Sequence, residues 1–148
     1  MERLISLYEY AESHNIDVDW CTMFRAESLS VKLNDGSCAI AIDPFKLVNT
    51  ADETYKLAHE LGHCETGSFY SQYAPFDERG RNEARATRWA IKKLLPFDEM
   101  RAAMKAGYTE LYQLAEYFEV PEDLIQQAVE YYTGPCGLSF RDASENGC

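Results

Sequence analysis

Two histidines four residues apart, His59 and His63, enclose Glu60, Leu61 and Gly62 in a string of the form H-E-x-x-H. On a helix such residues share one face, so a single metal ion can bridge both imidazoles. Neutral imidazole suits zinc, and Glu60, next to the first ligand, can reach water at the metal without being a ligand itself. The chemistry implied is hydrolysis, with a Lewis acid beside a carboxylate that takes up and returns a proton. The chain has three histidines, and two of them fall in the one pattern that uses them as a pair. The bland alternative, two satisfied surface histidines on an ordinary helix, requires the string to be a coincidence that this composition rarely produces.

A catalytic zinc takes three protein ligands and keeps a fourth position open. His14, Cys64, Glu65, Asp77, Glu78 and Glu83 are the candidates for the third. Cys64 and Glu65 follow His63 so closely that they turn roughly 100° and 200° away from its face. Cys64 is better read as a small buried filler than as a redox-sensitive thiol. Glu83 is better placed, because at about 100° per residue it shares a face with Ala86, Thr87, Ala90 and Leu94. Arg81, Arg85, Arg88 and Lys92 form a basic stripe on the opposite, solvated face. An inward carboxylate is costly unless paired or metal-bound, so a second helix crossing the first could present Glu83 to zinc. The bland reading of Glu83 is a helix-start acid favoured by the macrodipole. Tyr70 and Tyr73, just after the motif helix, are candidate donors to a tetrahedral oxyanion, though packed or rim aromatics would look the same.

The elements that hold these residues follow from periodicity and punctuation. Leu4, Leu7, Tyr8 and Ala11 predict an amphipathic helix over 1–15. SLSVKL and CAIAID flank Asn34-Asp35-Gly36, which predicts a hairpin over about 28–43. A helix over about 52–64 carries the motif, and a polar, aromatic loop with Gly67, Pro75 and Gly80 follows it. Next comes a helix over about 81–95, stopped by Pro96, and then helices near 98–106 and 109–132. Residues 133–148 are rich in turn formers and are expected to be a poorly ordered tail behind a domain spanning 1–132. The fold class expected is α+β, a mostly helical single domain with a small hairpin or sheet packed on the motif helix.

Composition narrows the setting. A chain of 148 residues with 46% hydrophobic content can bury one real core. No stretch approaches the roughly 20 apolar residues of a membrane span, and no signal peptide is recognised at the N-terminus, so a cytoplasmic location is expected. The five cysteines, Cys21, Cys38, Cys64, Cys136 and Cys148, show no C-x-x-C pair and no regular spacing. They suggest neither a disulfide framework nor a thiolate zinc site, and a reducing compartment fits them best. A net charge of −11 argues against direct contact with nucleic acid and for a protein or small-molecule partner.

Three segments, YKLAHELGHCETGSFY, NEARATRWAIKKLLP and LAEYFEVPEDLIQQAVEYY, occur in the order and with the gaps seen in the ImmA/IrrE-type metallopeptidases of bacteria, prophages and integrative elements. The chain resembles that family over about 28–132. The family's third-ligand helix reads E-x-x-A-x-x-F/W-A-x-x-L-L-x-P or close to it, and here Glu83, Ala86, Trp89, Ala90 and Lys93-Leu94-Leu95-Pro96 match it. The resemblance implies a minimal zincin-like core, Zn2+ held by His59, His63 and Glu83, and Glu60 as catalytic acid/base. It departs at Arg85 and Thr87, where family members often carry an acidic residue and an asparagine. Many members cleave a helix-turn-helix repressor encoded beside them, and this chain looks like the stand-alone form. The activity implied is zinc-dependent endopeptidase action on such a repressor. The alternative is a non-cleaving, zinc-containing binding module that relieves repression by sequestering a transcription factor. The pair LAEYFEV-PEDLIQQAVEYY resembles a helix-turn-helix by spacing, yet it has acidic residues and no Lys or Arg, so it reads as core and partner surface.

Overall fold

Helix α2, Thr50–Thr66, carries the H-E-x-x-H string, and the other elements are arranged around it. The computed structural model describes residues 1–141. α2 begins where Asn49 caps it by accepting a hydrogen bond from the Asp52 N–H, and Asp52 and Glu53 in the first turn complement the helix dipole. It ends at Gly67, which sits in the left-handed region with φ 66°.

Helix α1, Glu2–Ser13, lies along α2 with Leu4, Leu7 and Ala11 buried, as its spacing requires. Two long-range bonds fasten it: the Tyr8 hydroxyl donates to Glu53 at 2.6 Å and the Tyr10 hydroxyl to Glu65 at 2.9 Å. Strands β1 (Asp17–Trp20), β2 (Ser28–Lys32) and β3 (Cys38–Ile42) form one sheet in the order β1-β3-β2. β2 and β3 are the expected hairpin, antiparallel with Ser28 opposite Ile42 and Lys32 opposite Cys38. β1, parallel to β3, was not expected from the sequence. Its four residues, DVDW, are too few to show a period, and its pairing depends on the distant β3. Ile40 and Ile42 are buried on the face turned toward α2, and with side chains alternating, Ser28 and Ser30 share that face. β2 is an edge strand, paired on one side only among the described residues.

Helix α3, Phe76–Leu94, starts several residues before the expected 81–95. Pro75 leads into it and Asp77 and Glu78 favour its first turn, while Gly80 is tolerated in an exposed turn. Pro96 does stop it, and helix α4, Phe97–Lys105, follows at once. The stretch expected to be helical over 109–132 is divided into α5, Leu111–Phe118, and α6, Glu122–Thr133. Glu119 in the left-handed region and Pro121 make the break. The Tyr132 hydroxyl on α6 donates to the carbonyl of Leu95 at 2.7 Å, satisfying a group that the end of α3 leaves open. One hydrophobic cluster joins all of this, from Leu7 and Ile40 through Leu57, Leu61 and Ile91 to Phe118 and Ile125. The architecture is α+β, helical for the most part, with the small sheet packed on the motif helix.

In the expected tail, Leu138 and Phe140 lie against the core, Phe140 with its ring 4.7 Å from that of Phe97. Residues 142–148 lie outside the described residues. The reading of the cysteines needs a correction, because Cys38 on β3 and Cys64 on α2 are joined by a disulfide across 26 residues of sequence. Packing of the sheet on α2 creates this pair, which is why no local spacing announced it. No described helix is long and apolar enough to cross a membrane.

Candidate metal centre

The two histidines of α2 project side by side, with ring centroids 4.9 Å apart. Glu83, from the second turn of α3, meets both. Its Oε2 lies 2.7 Å from His63 Nε2 and its Oε1 3.2 Å from His59 Nε2. One ligand atom from each of the three residues falls within 4.8 Å of the others. Such closeness requires α2 and α3 to touch backbone to backbone, and Gly62 permits it. A Cβ at Gly62 would stand 2.5 Å from the carbonyl oxygen of Ala86 and 3.0 Å from its Cα. Ala58, Ala86 and Ala90, all fully buried, keep the rest of the crossing narrow.

Each imidazole is held from behind. His63 Nδ1 lies 2.6 Å from the carbonyl oxygen of Ser68. A carbonyl only accepts, so Nδ1 carries the proton and Nε2 is the nitrogen turned to Glu83. Gly67 makes this possible, since its left-handed turn brings Ser68 back over the helix end, with the Ser68 N–H donating to the His63 carbonyl at 3.1 Å. His59 Nδ1 has the Thr87 hydroxyl at 3.3 Å, on α3 itself. These supports are what a metal-ligating histidine needs to fix its tautomer and ring plane.

The carboxylate and the two imidazoles are electrostatically coupled. Hydrogen bonds from His59 and then His63 hold the Glu83 carboxyl well below the usual carboxylate range. Burial alone would lower the His63 pKa, but the bonds to Glu83 and to the Ser68 carbonyl outweigh it and raise the value above 6.5. Two Nε2 atoms and two carboxylate oxygens thus converge, and either protons or a single metal ion can reconcile them. The donor set, two imidazoles and a carboxylate, fits a divalent metal of the zinc type.

Glu60 is 6% exposed and makes no part of this cluster. Its Oε2 accepts a hydrogen bond from the Ser28 hydroxyl at 2.7 Å. Glu60, His63 and Glu83 floor a cleft of about 570 Å³ whose walls are β2 on one side and Phe69 and Tyr70 on the other. A second hollow of about 310 Å³, lined by Tyr55, Lys56, His59 and Thr87, shares Ser28 and Glu83 with the first. Tyr70 stands at the cleft with its ring 6.4 Å from His63. Burial, followed by the negative charge of Glu83, raises its phenol pKa. Tyr73 does not reach the site: it is 85% exposed, lines neither hollow, and its N–H turns to the Ser71 hydroxyl. The other third-ligand candidates lie elsewhere. His14 stacks on Tyr10, Glu65 accepts from Tyr10, Cys64 is bonded to Cys38, and Asp77 and Glu78 are exposed at the start of α3.

The sequence matches the family described as the IrrE N-terminal-like domain, a peptidase family, over residues 47–130. That is more than half of the chain, and it contains both histidines, Glu60 and Glu83. The chain belongs to this family. No curated protein and no solved structure matches it. The Thr87 departure from the IrrE-type pattern acquires a use, since its hydroxyl stands beside His59. Ser28, Ser68 and Thr87 are the site residues that sequence reasoning missed. Gly67-Ser68 directly after the motif helix is the local signal of a helix-capping turn, whereas Ser28, 32 residues from Glu60, carries none.

Proposed function

We propose that this chain is a zinc-dependent endopeptidase, with His59, His63 and Glu83 as the metal ligands and Glu60 as the general acid/base. The observation that carries the reading is the convergence of two imidazole Nε2 atoms and the Glu83 carboxylate beside a buried, non-ligating Glu60 at the floor of a cleft. When bound, zinc would supply Lewis acidity, polarising the scissile carbonyl and lowering the pKa of water toward 7.

The chain's own residues do the rest. Glu60 takes a proton from the attacking water and delivers it to the leaving amine nitrogen, so the C–N bond breaks after the C–O bond has formed. Tyr70, at the cleft wall beside Glu83, is the donor we assign to the tetrahedral oxyanion. The free edge of β2 offers N–H and C=O groups to an extended polypeptide, which would add as a further strand. Hollows on both sides of Ser28 and Glu83 leave room for residues flanking the scissile bond. A polypeptide is therefore the substrate class. The family resemblance points further, to a helix-turn-helix repressor of a prophage or mobile element in the cytoplasm, and the net charge of −11 favours a protein over nucleic acid as the direct partner.

The test is cleavage of the repressor encoded nearest to this gene by zinc-loaded wild type and Glu60→Gln. Zinc content should be equal in the two, and fragment release should fall at least about a hundredfold in Glu60→Gln. Repressor left whole by wild type, or cut equally well by Glu60→Gln, would overturn the reading.

A further inference from the structure

Ser28 opens β2, the edge strand that walls the cleft, and its hydroxyl reaches the motif helix. The bond to Glu60 Oε2, 2.7 Å long, links residues 32 apart in sequence. Glu60 is nearly excluded from solvent, so water competes little and a hydroxyl donating to its carboxylate is strong and directional. The backbone around Ser28 is fastened in turn. The Glu27 carbonyl accepts from the Asp43 N–H at 3.0 Å, the Glu27 carboxylate pairs with Lys56 of α2 at 2.5 Å, and the Ala26 carbonyl accepts from Lys46 at 3.0 Å.

We propose that Ser28 is a positioning residue for Glu60, committing Oε2 to β2 and leaving Oε1 to carry the proton. The proposal rests on the peptidase reading above. Oε2 keeps a lone pair for Ser28 whether or not Oε1 is protonated, so the bond persists through both proton transfers and the carboxylate need not swing. Because an extended substrate would lie along the same strand, β2 holds the base and the scissile bond in one fixed relation. Satisfaction of a buried carboxylate alone would give Ser28 a role in stability and none in turnover.

The experiment uses the zinc-loaded full chain and a mixed-sequence library of internally quenched decapeptides, with steady-state kinetics on the best-cleaved member. Ser28→Ala lowers kcat by roughly tenfold to a hundredfold and leaves KM within about twofold. Zinc per chain stays at the wild-type level, and circular dichroism reports a folded protein at the assay temperature. Ser28→Thr, which keeps the hydroxyl, recovers most of the rate. In the Glu60→Gln background, Ser28→Ala leaves the residual rate unchanged, because Ser28 acts through Glu60. Wild-type kcat in Ser28→Ala, a loss that tracks lost zinc or lost fold, failure of threonine to rescue, or a further loss on top of Glu60→Gln each overturns the proposal while leaving the peptidase reading standing. Where no library member is cut, the same comparisons are made on the repressor encoded nearest to this gene; a wild type that cleaves neither overturns the peptidase reading, and the role of Ser28 falls with it.

Discussion

At His63 the Nδ1 proton reaches the Ser68 carbonyl only because Gly67 turns the chain back with φ 66°. The helix cap and the support of the His63 imidazole are therefore one feature. Gly67→Ala should cost about 1–2 kcal/mol of stability from the left-handed backbone alone. It should also weaken zinc binding by about tenfold or more, as losing the partner of a ligating imidazole does. Denaturation of the metal-free protein measures the first effect, and chelator competition the second. Lost stability with unchanged zinc affinity would mean that the Ser68 carbonyl does not orient the ring. The three residues that converge were readable, since H-E-x-x-H places two of them and the face of α3 points to Glu83. Their supports were not, because Ser68, Thr87 and Ser28 offer common polar atoms whose use is decided by which backbone comes near.

α2 and α3 make the site by crossing at Gly62 and Ala86, where a Cβ on Gly62 would lie 2.5 Å from the Ala86 carbonyl oxygen and a methyl group has no room. Gly62→Ala should push α3 away, cost about 1–3 kcal/mol through overpacking, and weaken metal binding by drawing Glu83 from the histidines. Urea titration with and without zinc reads both, and an unperturbed zinc affinity would show that the crossing does not set the ligand distance. α1, the hairpin and α2 were legible because each is specified locally: an apolar stripe, an Asn-Asp-Gly turn, a helical run carrying the paired histidines. β1 was not, because its four residues acquire meaning only beside β3. The early start of α3 was hidden by Gly80, whose poor helix propensity is offset locally by Pro75 ahead of the helix and by Asp77 and Glu78 in its first turn.

Across the whole molecule, the sheet is tied to the motif helix by the Cys38–Cys64 disulfide, with a Cα separation of 5.9 Å that suits such a bond. Its Cys64 end directly follows His63, so the tie holds β3, and through it β2, against the part of α2 that carries the site. Closing a loop of this length should stabilise the fold by about 3 kcal/mol, so Cys38→Ser should lower the denaturation midpoint accordingly. A midpoint in Cys38→Ser equal to that of the wild type would mean that the bond is not formed in solution. A crystal structure of the zinc-reconstituted protein, with anomalous data at the zinc edge, shows whether His59, His63 and Glu83 hold the ion. The expected result is one peak per site with His59 Nε2, His63 Nε2 and a Glu83 oxygen at about 2.0–2.2 Å. No peak there after reconstitution, or a zinc ion ligated elsewhere with Glu83 turned to solvent, would mean that these three residues do not form a zinc site.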